Sequence, residues 1–262
     1  MSTQMLPREE GARAAERLSS DDVTRLNERF AGASAGAALA HAAAHFGSRL
    51  AVACSLGVED VVVLDLLAKL PDSIRGVPRV FVLDTGRLPE ETYDLLERVR
   101  ARYPGRVELY LPDAVRVEQL VRTKGPLSFR RSIEDRRECC AIRKLGPLSR
   151  ALAGADAWVT GLRRVQSTSR AETGLFELDA GNDGRLKVSP LVDWTDDQVW
   201  NYVKANDVPY NALHDAGYPS IGCAPCTRAV APGEDSRSGR WWWETPEEGR
   251  ECGLHSTRRP KR

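Results

Sequence analysis

No run of apolar residues in this 262-residue chain is long enough to span a bilayer, and Met1-Ser-Thr-Gln-Met-Leu-Pro-Arg-Glu-Glu carries acids where a secretory signal requires an apolar stretch. Excess charge is missing as well. Lys+Arg 38 against Asp+Glu 37 leaves a net +1, so no global field favours nucleic acid or an anionic membrane, and neither is an expected partner. Any anion site must be local. No internal repeat or extended low-complexity segment is visible. The chain reads as cytoplasmic, and in a reducing compartment its six cysteines point to metal binding or catalysis rather than to disulfides.

Those cysteines are unevenly placed. Cys139 and Cys140 are adjacent, Cys223 and Cys226 form a Cys-x-x-Cys, and Cys252 stands alone in Glu-Cys-Gly-Leu-His. Cys54, flanked by apolar residues in Leu50-Ala-Val-Ala-Cys-Ser, reads as a buried thiol with no chemical role. Two adjacent cysteines suit separate iron corners of a cluster better than the paired knuckles that hold one zinc, so the four suggest [4Fe–4S], with structural zinc as the alternative.

Length allows one domain with appendages. Residues 1–18 are charged, Ala-rich and weakly patterned, a loosely attached arm; Ser19-Ser-Asp-Asp before Val23 is a helix start. Apolar strands and amphipathic helices then alternate: Leu50 to Ser55, Glu59 to Leu70, Arg79 to Leu83, Glu90 to Tyr103, Arg106 to Leu111. Such alternation predicts an α/β fold, a mainly parallel twisted sheet with flanking helices. A short helix over Asp113 to Thr123 follows, then a long helix from about Ser132 to Leu152 that contains the cysteine pair, then a strand from Ala157 to Gly161. A short strand from Leu186 and a helix capped by Thr195 lead to the Cys-x-x-Cys. Residues 19–231 thus form the main domain. Residues 232–262 turn polar and basic around a Trp241-Trp-Trp island and read as a mobile tail bearing Cys252, with the tryptophans anchoring its base.

Several long runs agree in order with one family. Cys139-Cys-Ala-Ile-Arg-Lys-Leu-Gly-Pro-Leu, Gly161-Leu-Arg-Arg-Val-Gln-Ser-Thr-Ser-Arg, Asp193-Trp-Thr-Asp-Asp-Gln-Val-Trp, Val208-Pro-Tyr-Asn-Ala-Leu-His, Ser220-Ile-Gly-Cys-Ala-Pro-Cys-Thr-Arg-Ala-Val and Glu251-Cys-Gly-Leu-His resemble assimilatory adenylyl-sulfate reductase of the iron–sulfur type. The resemblance runs from about residue 50 to His255. It implies a [4Fe–4S] cluster on Cys139, Cys140, Cys223 and Cys226, and reduction of adenosine 5′-phosphosulfate to sulfite and AMP with thioredoxin as donor. It also implies a homo-oligomer. Cys252 would be the catalytic nucleophile. Cluster-free relatives that reduce the 3′-phosphorylated nucleotide lack the two cysteine pairs, and that substrate is the alternative here.

Ser55-Leu-Gly-Val-Glu-Asp follows a strand and opens a helix, placing N–H groups and a positive helix end where a phosphate could sit. It is similar to the modified phosphate loop of the adenine nucleotide α-hydrolase-like (Rossmann-like) fold, with Leu56 where many relatives have a second Ser. Ser55, Leu56, Gly57, Glu59 and Asp60 are its candidate substrate contacts. Leu83-Asp-Thr-Gly ends the next strand and adds Leu83, Asp84, Thr85 and Gly86. The phosphosulfate needs cations. Lys144, Arg163, Arg164, Arg170, Arg237 and Arg240 match the family's basic positions, Gln166 is a further candidate substrate contact in the same motif as Arg163, and Lys144 is expected on the cysteine side of its helix. Arg130, Arg131 and Arg136 are candidates for meeting a 3′-phosphate. An ATP-using ligase on the same fold is a competing enzyme class, although the loop lacks the fuller Ser-Gly-Gly-x-Asp-Ser form. A metal-dependent nucleotide sensor is the non-enzymatic one.

Overall fold

In the computed structural model, residues 17–103 and 107–245 are described. Six strands form one sheet: β1 (Leu50–Ala53), β2 (Arg79–Leu83), β3 (Val107–Tyr110), β4 (Ala157–Val159), β5 (Phe176–Asp179) and β6 (Arg185–Val188), in the order β3-β2-β1-β4-β6-β5. All neighbours are parallel except β5 on β6, so the expected mainly parallel α/β sheet is present with one antiparallel edge. Order reverses beside β1, between β2 and β4. Open α/β sheets leave a crevice for ligands at such a point, outside the carboxyl ends of the strands.

The central strands read as continuous apolar runs because both faces are covered. On one face α2 (Ala35–Phe46) and α3 (Val58–Ala68) bury Leu39, Ala42, Val61 and Leu64 against Leu50, Val52, Val80 and Val82. α9 (Asp196–Ala205) packs there too, its start fixed by a Thr195–Gln198 capping box. Side chains of alternate strand positions point the other way. There Ala51, Phe81 and Trp158 meet Leu148, Ala151 and Leu152.

The long helix expected over Ser132 to Leu152 is present in three parts: α7 (Ile133–Cys140), a π turn (Ala141–Leu145) and α8 (Gly146–Ala151). Ser132 caps it by accepting from the Asp135 N–H. Residues 232–245 lie against the domain, with Trp241 fully buried and Arg240 and Glu244 nearly so. The candidate arm up to residue 16 and the tail from 246, Cys252 and His255 included, lie outside the described residues.

Candidate functional site

The loop after β1 closes on itself through one carboxylate. Asp60 Oδ2 accepts from the Ser55 N–H at 2.7 Å and the Ser55 hydroxyl at 2.6 Å, while its Oδ1 accepts from the Gly161 N–H at 2.9 Å. Asp60 therefore ties the loop to the end of β4. Gly161 can only be glycine here, because a Cβ would stand 2.4 Å from Asp60 Oδ1 and 3.0 Å from the Asp60 nitrogen. Leu56 takes the left-handed conformation (φ 62°) and turns its side chain into the core.

Above this loop lies a cavity of about 710 Å³. Ser55, Gly57, Glu59, Asp60, Leu83, Thr85, Lys144, Arg163, Gln166, Arg170, Arg237 and Arg240 all line it, so twelve of the sixteen candidate substrate residues share one space. Leu56, Asp84, Gly86 and Arg164 are not in that lining. Asp84 instead accepts from the Gly86 N–H and the Tyr93 hydroxyl, and burial with that bond pushes Tyr93 up to about 12. Arg164 faces away, donating to the Thr173 carbonyl and pairing with Asp193. Cys54 does line the cavity, but burial raises its thiol far above the ordinary value, so it stays protonated.

The cations differ in what holds them. Arg163 is buried and spends its guanidinium on Glu59 Oε1 at 2.7 Å, Asp196 at 2.5 Å and the Trp194 carbonyl at 3.1 Å. Gln166 donates to the same Glu59 oxygen at 2.9 Å. Arg163 and Gln166 thus fix Glu59 in the wall of the cavity. Arg240 reaches Ser220 Oγ and the Ile221 carbonyl, both at 3.3 Å, and lies over the Trp241 ring.

A second, smaller cavity adjoins the first. Cys139, Cys140, Cys223 and Cys226 line it together with Arg87, Phe129, Arg136, Arg143, Lys144, Arg240 and Trp241. Helix α7 supplies the first pair, and the second comes from the tight turn over Ala224–Cys226 and Cys223 immediately before it, anchored by the Ala224 N–H to the Arg87 carbonyl. Thr85 Oγ1 lies 3.2 Å from Cys223 Sγ. Burial pushes the Cys139 thiol up, and burial with the neighbouring Cys223 and Cys140 pushes Cys226 up to about 12. Among the described residues the cavity wall has four thiols and five cations and no carboxylate, and Arg143 Nε is buried there without a hydrogen-bond partner among them. That donor set fits a thiolate-ligated anionic group. Among the described residues no three or more His, Cys, Asp or Glu side chains are arranged to hold a single metal ion.

Lys144, Arg240 and Trp241 line both cavities. Of the residues proposed for a 3′-phosphate, Arg136 is buried on Glu244 and over Trp241, and Arg130 stacks on Phe129, Trp242 and Trp243 while donating to the Pro225 carbonyl. Sequence reasoning passed over Arg87, Arg143 and His214. Arg143 carried a signal, four residues after Cys139 and so on the same helical side. His214 ends the Val208-Pro-Tyr-Asn-Ala-Leu-His run, but its place in the large cavity arises from a loop far from β1 in sequence, which only the fold reveals.

The chain matches the phosphoadenosine phosphosulfate reductase domain over residues 49–229. It is 51% identical over 203 residues to the adenosine 5′-phosphosulfate reductase of Allochromatium vinosum, covering 78% of this chain and 77% of that one. It is 45% identical over 245 residues to the chloroplastic 5′-adenylylsulfate reductase 3 of Arabidopsis thaliana, covering 90% of this chain and 51% of that one. The crystal structure of a phosphoadenylyl-sulfate (PAPS) reductase from Candida auris, a phosphate complex, aligns with a TM-score of 0.69 at 29% identity over 83% of this chain and all of that one. FMN adenylyltransferase of Candida glabrata, in complex with ATP, shares the fold alone, with a TM-score of 0.54 at 15% identity over 84% and 70% of the two chains. The architecture is therefore the adenine nucleotide α-hydrolase-like one expected from the loop after β1. With a family match over most of its length and relatives at about half identity, this chain belongs to the phosphoadenosine phosphosulfate reductase family.

Proposed function

We propose that this chain reduces adenosine 5′-phosphosulfate to sulfite and AMP in sulfate assimilation, with Cys252 as nucleophile and thioredoxin as electron donor. The observation that carries the reading is the shared wall of the two cavities. A nucleotide-sized space at the switch point of the sheet abuts a four-cysteine cavity, and Lys144 and Arg240 face both. The names of the relatives supply the substrate.

In this reading the adenosine lies at the strand ends, and its phosphosulfate points to Lys144, Arg170, Arg237 and Arg240. Those cations orient it and stabilise charge on the departing phosphate. The Cys252 thiolate attacks the substrate sulfur; an S–S bond forms, the sulfur–oxygen bond to phosphate breaks, and AMP leaves with the electron pair. A thioredoxin thiolate then attacks Cys252 Sγ and sulfite leaves with that bond's electrons. The second thioredoxin thiol resolves the mixed disulfide, so thioredoxin ends as a disulfide and Cys252 returns as a thiol. Two electrons pass, and one cysteine of this chain suffices. Cys139, Cys140, Cys223 and Cys226 would hold a [4Fe–4S] cluster, whose contribution is structural and electrostatic beside the anionic substrate.

No helix of the described residues is long and apolar enough to cross a membrane. The reading is tested by a thioredoxin-coupled sulfite assay on the anaerobically purified protein with the two nucleotides. Sulfite from adenosine 5′-phosphosulfate is expected. Sulfite from the 3′-phosphorylated nucleotide alone would replace the substrate, and none from either would end the proposal.

A further inference from the structure

The helix that carries the cysteine pair changes face halfway along. Counted at about 100° per residue from Arg136, the buried residues Arg136 and Cys139 centre near about −30°, while the buried Pro147, Leu148, Ala151 and Leu152 centre near about 90°. An unbroken α-helix cannot bury both sets. The turn over Ala141–Leu145 is π, and a one-residue insertion of that kind moves everything beyond it back by about 100°. The two faces then coincide. Cys139 and Ile142 pack with Leu120 and Phe129, and Leu148, Ala151 and Leu152 pack with Ala51, Phe81 and Trp158.

Pro147 is the local cause. It has no N–H to give the Arg143 carbonyl, and in an α turn its ring would collide with that carbonyl; a widened turn relieves the collision. Inside the widened turn sit Arg143 and Lys144. Arg143 is buried and its Nη1 donates to the Thr85 carbonyl at 2.6 Å, locking the turn to the end of β2. Lys144 lines the nucleotide cavity and the four-cysteine cavity together.

We infer that Pro147 is a positioning residue: the π turn it enforces presents Lys144 at the boundary of the two cavities while keeping the Leu148 face in the core. The inference rests on the proposed reading of the large cavity as a nucleotide site. Deleting Leu145 together with Pro147→Ala closes the turn to an ordinary α-helix, leaves both flanking faces aligned and rotates Lys144 off the boundary. Calorimetric titration of the purified protein with AMP and with adenosine reads the consequence. AMP is expected to weaken by about tenfold or more and adenosine by less than about twofold, with no further loss of AMP affinity when the deletion is made in Lys144→Ala. Equal weakening of AMP and adenosine, or a full additional loss in Lys144→Ala, overturns the inference.

Should the deletion variant not fold, Pro147→Ala alone decides. With packing of the Leu148 face left to hold the turn open unaided, Lys144 is less firmly placed, so AMP affinity should fall several-fold with adenosine unchanged, and unchanged AMP affinity refutes the role given to the proline. These titrations need no turnover. Absence of sulfite production would count against the proposed function and leave them standing, whereas sulfite production with AMP affinity indifferent to the turn would sink this inference alone.

Discussion

Replacing Glu244 by Gln should destabilise the protein far more than a surface change. Arg136 and Glu244 meet at 2.5 Å with side chains only 1% and 4% exposed, so water screens neither. Removing one charge of a buried pair costs about 3–5 kcal/mol, because the other charge stays desolvated. The Trp241 ring, 4.6 Å from the Arg136 guanidinium, softens this by no more than about 1–2 kcal/mol. For a urea slope of about 3 kcal/mol/M, the unfolding midpoint should fall by about 1 M. Arg136→Met combined with Glu244→Leu removes both charges, and exchanging a buried pair for apolar groups is often neutral, so the double variant should lie within about 2 kcal/mol of the parent. A midpoint shift under about 0.3 M for Glu244→Gln, or a double variant as unstable as the single one, would refute the reasoning.

Gly222→Ala should disable the site without unfolding the chain, because the new Cβ would stand 2.2 Å from Arg240 Nη2 and 2.5 Å from its Cζ. The guanidinium must move, and AMP affinity measured by calorimetry should drop about tenfold with the unfolding midpoint little changed. Gly161→Ala meets the Asp60 backbone as well as its side chain, and should cost several-fold more stability than Gly222→Ala in the same urea assay. His214 is predicted to make stability acid-sensitive. Burial lowers it below its ordinary 6.5, and Nε2 is buried without a hydrogen-bond partner. The unfolded chain then binds the extra proton, so stability should fall as pH drops through 6.5; His214→Phe, keeping the ring beside Trp200, should flatten that fall in urea titrations from pH 7.5 to 5.

The sheet was legible because β1, β2 and β4 are short apolar runs between helical segments, a pattern that parallel order imposes. The edge strand β5 was not, since Phe176–Asp179 alternates weakly and pairs only with β6. Helix α2 escaped notice because alanine gives little contrast between buried and exposed faces. The π turn is invisible to any reading at constant period, although Gly146-Pro147 marks its place. Cation roles were the least legible. Arg163 and Arg170 stand in the same motif, yet Arg163 is consumed by Glu59 and Asp196, partners 104 and 33 residues away, whose approach only the fold sets. The polar composition of 232–245 likewise gave no hint of Arg136, the buried partner that holds Glu244.

The covalent step assigned to Cys252 is the centre of the proposed reaction. Incubating the protein with adenosine 5′-phosphosulfate in the absence of any reductant, then measuring its mass and mapping its peptides, should find one SO₃ group on Cys252, released as sulfite by thioredoxin. An unmodified Cys252, or the same adduct and full sulfite production in Cys252→Ser, would contradict it.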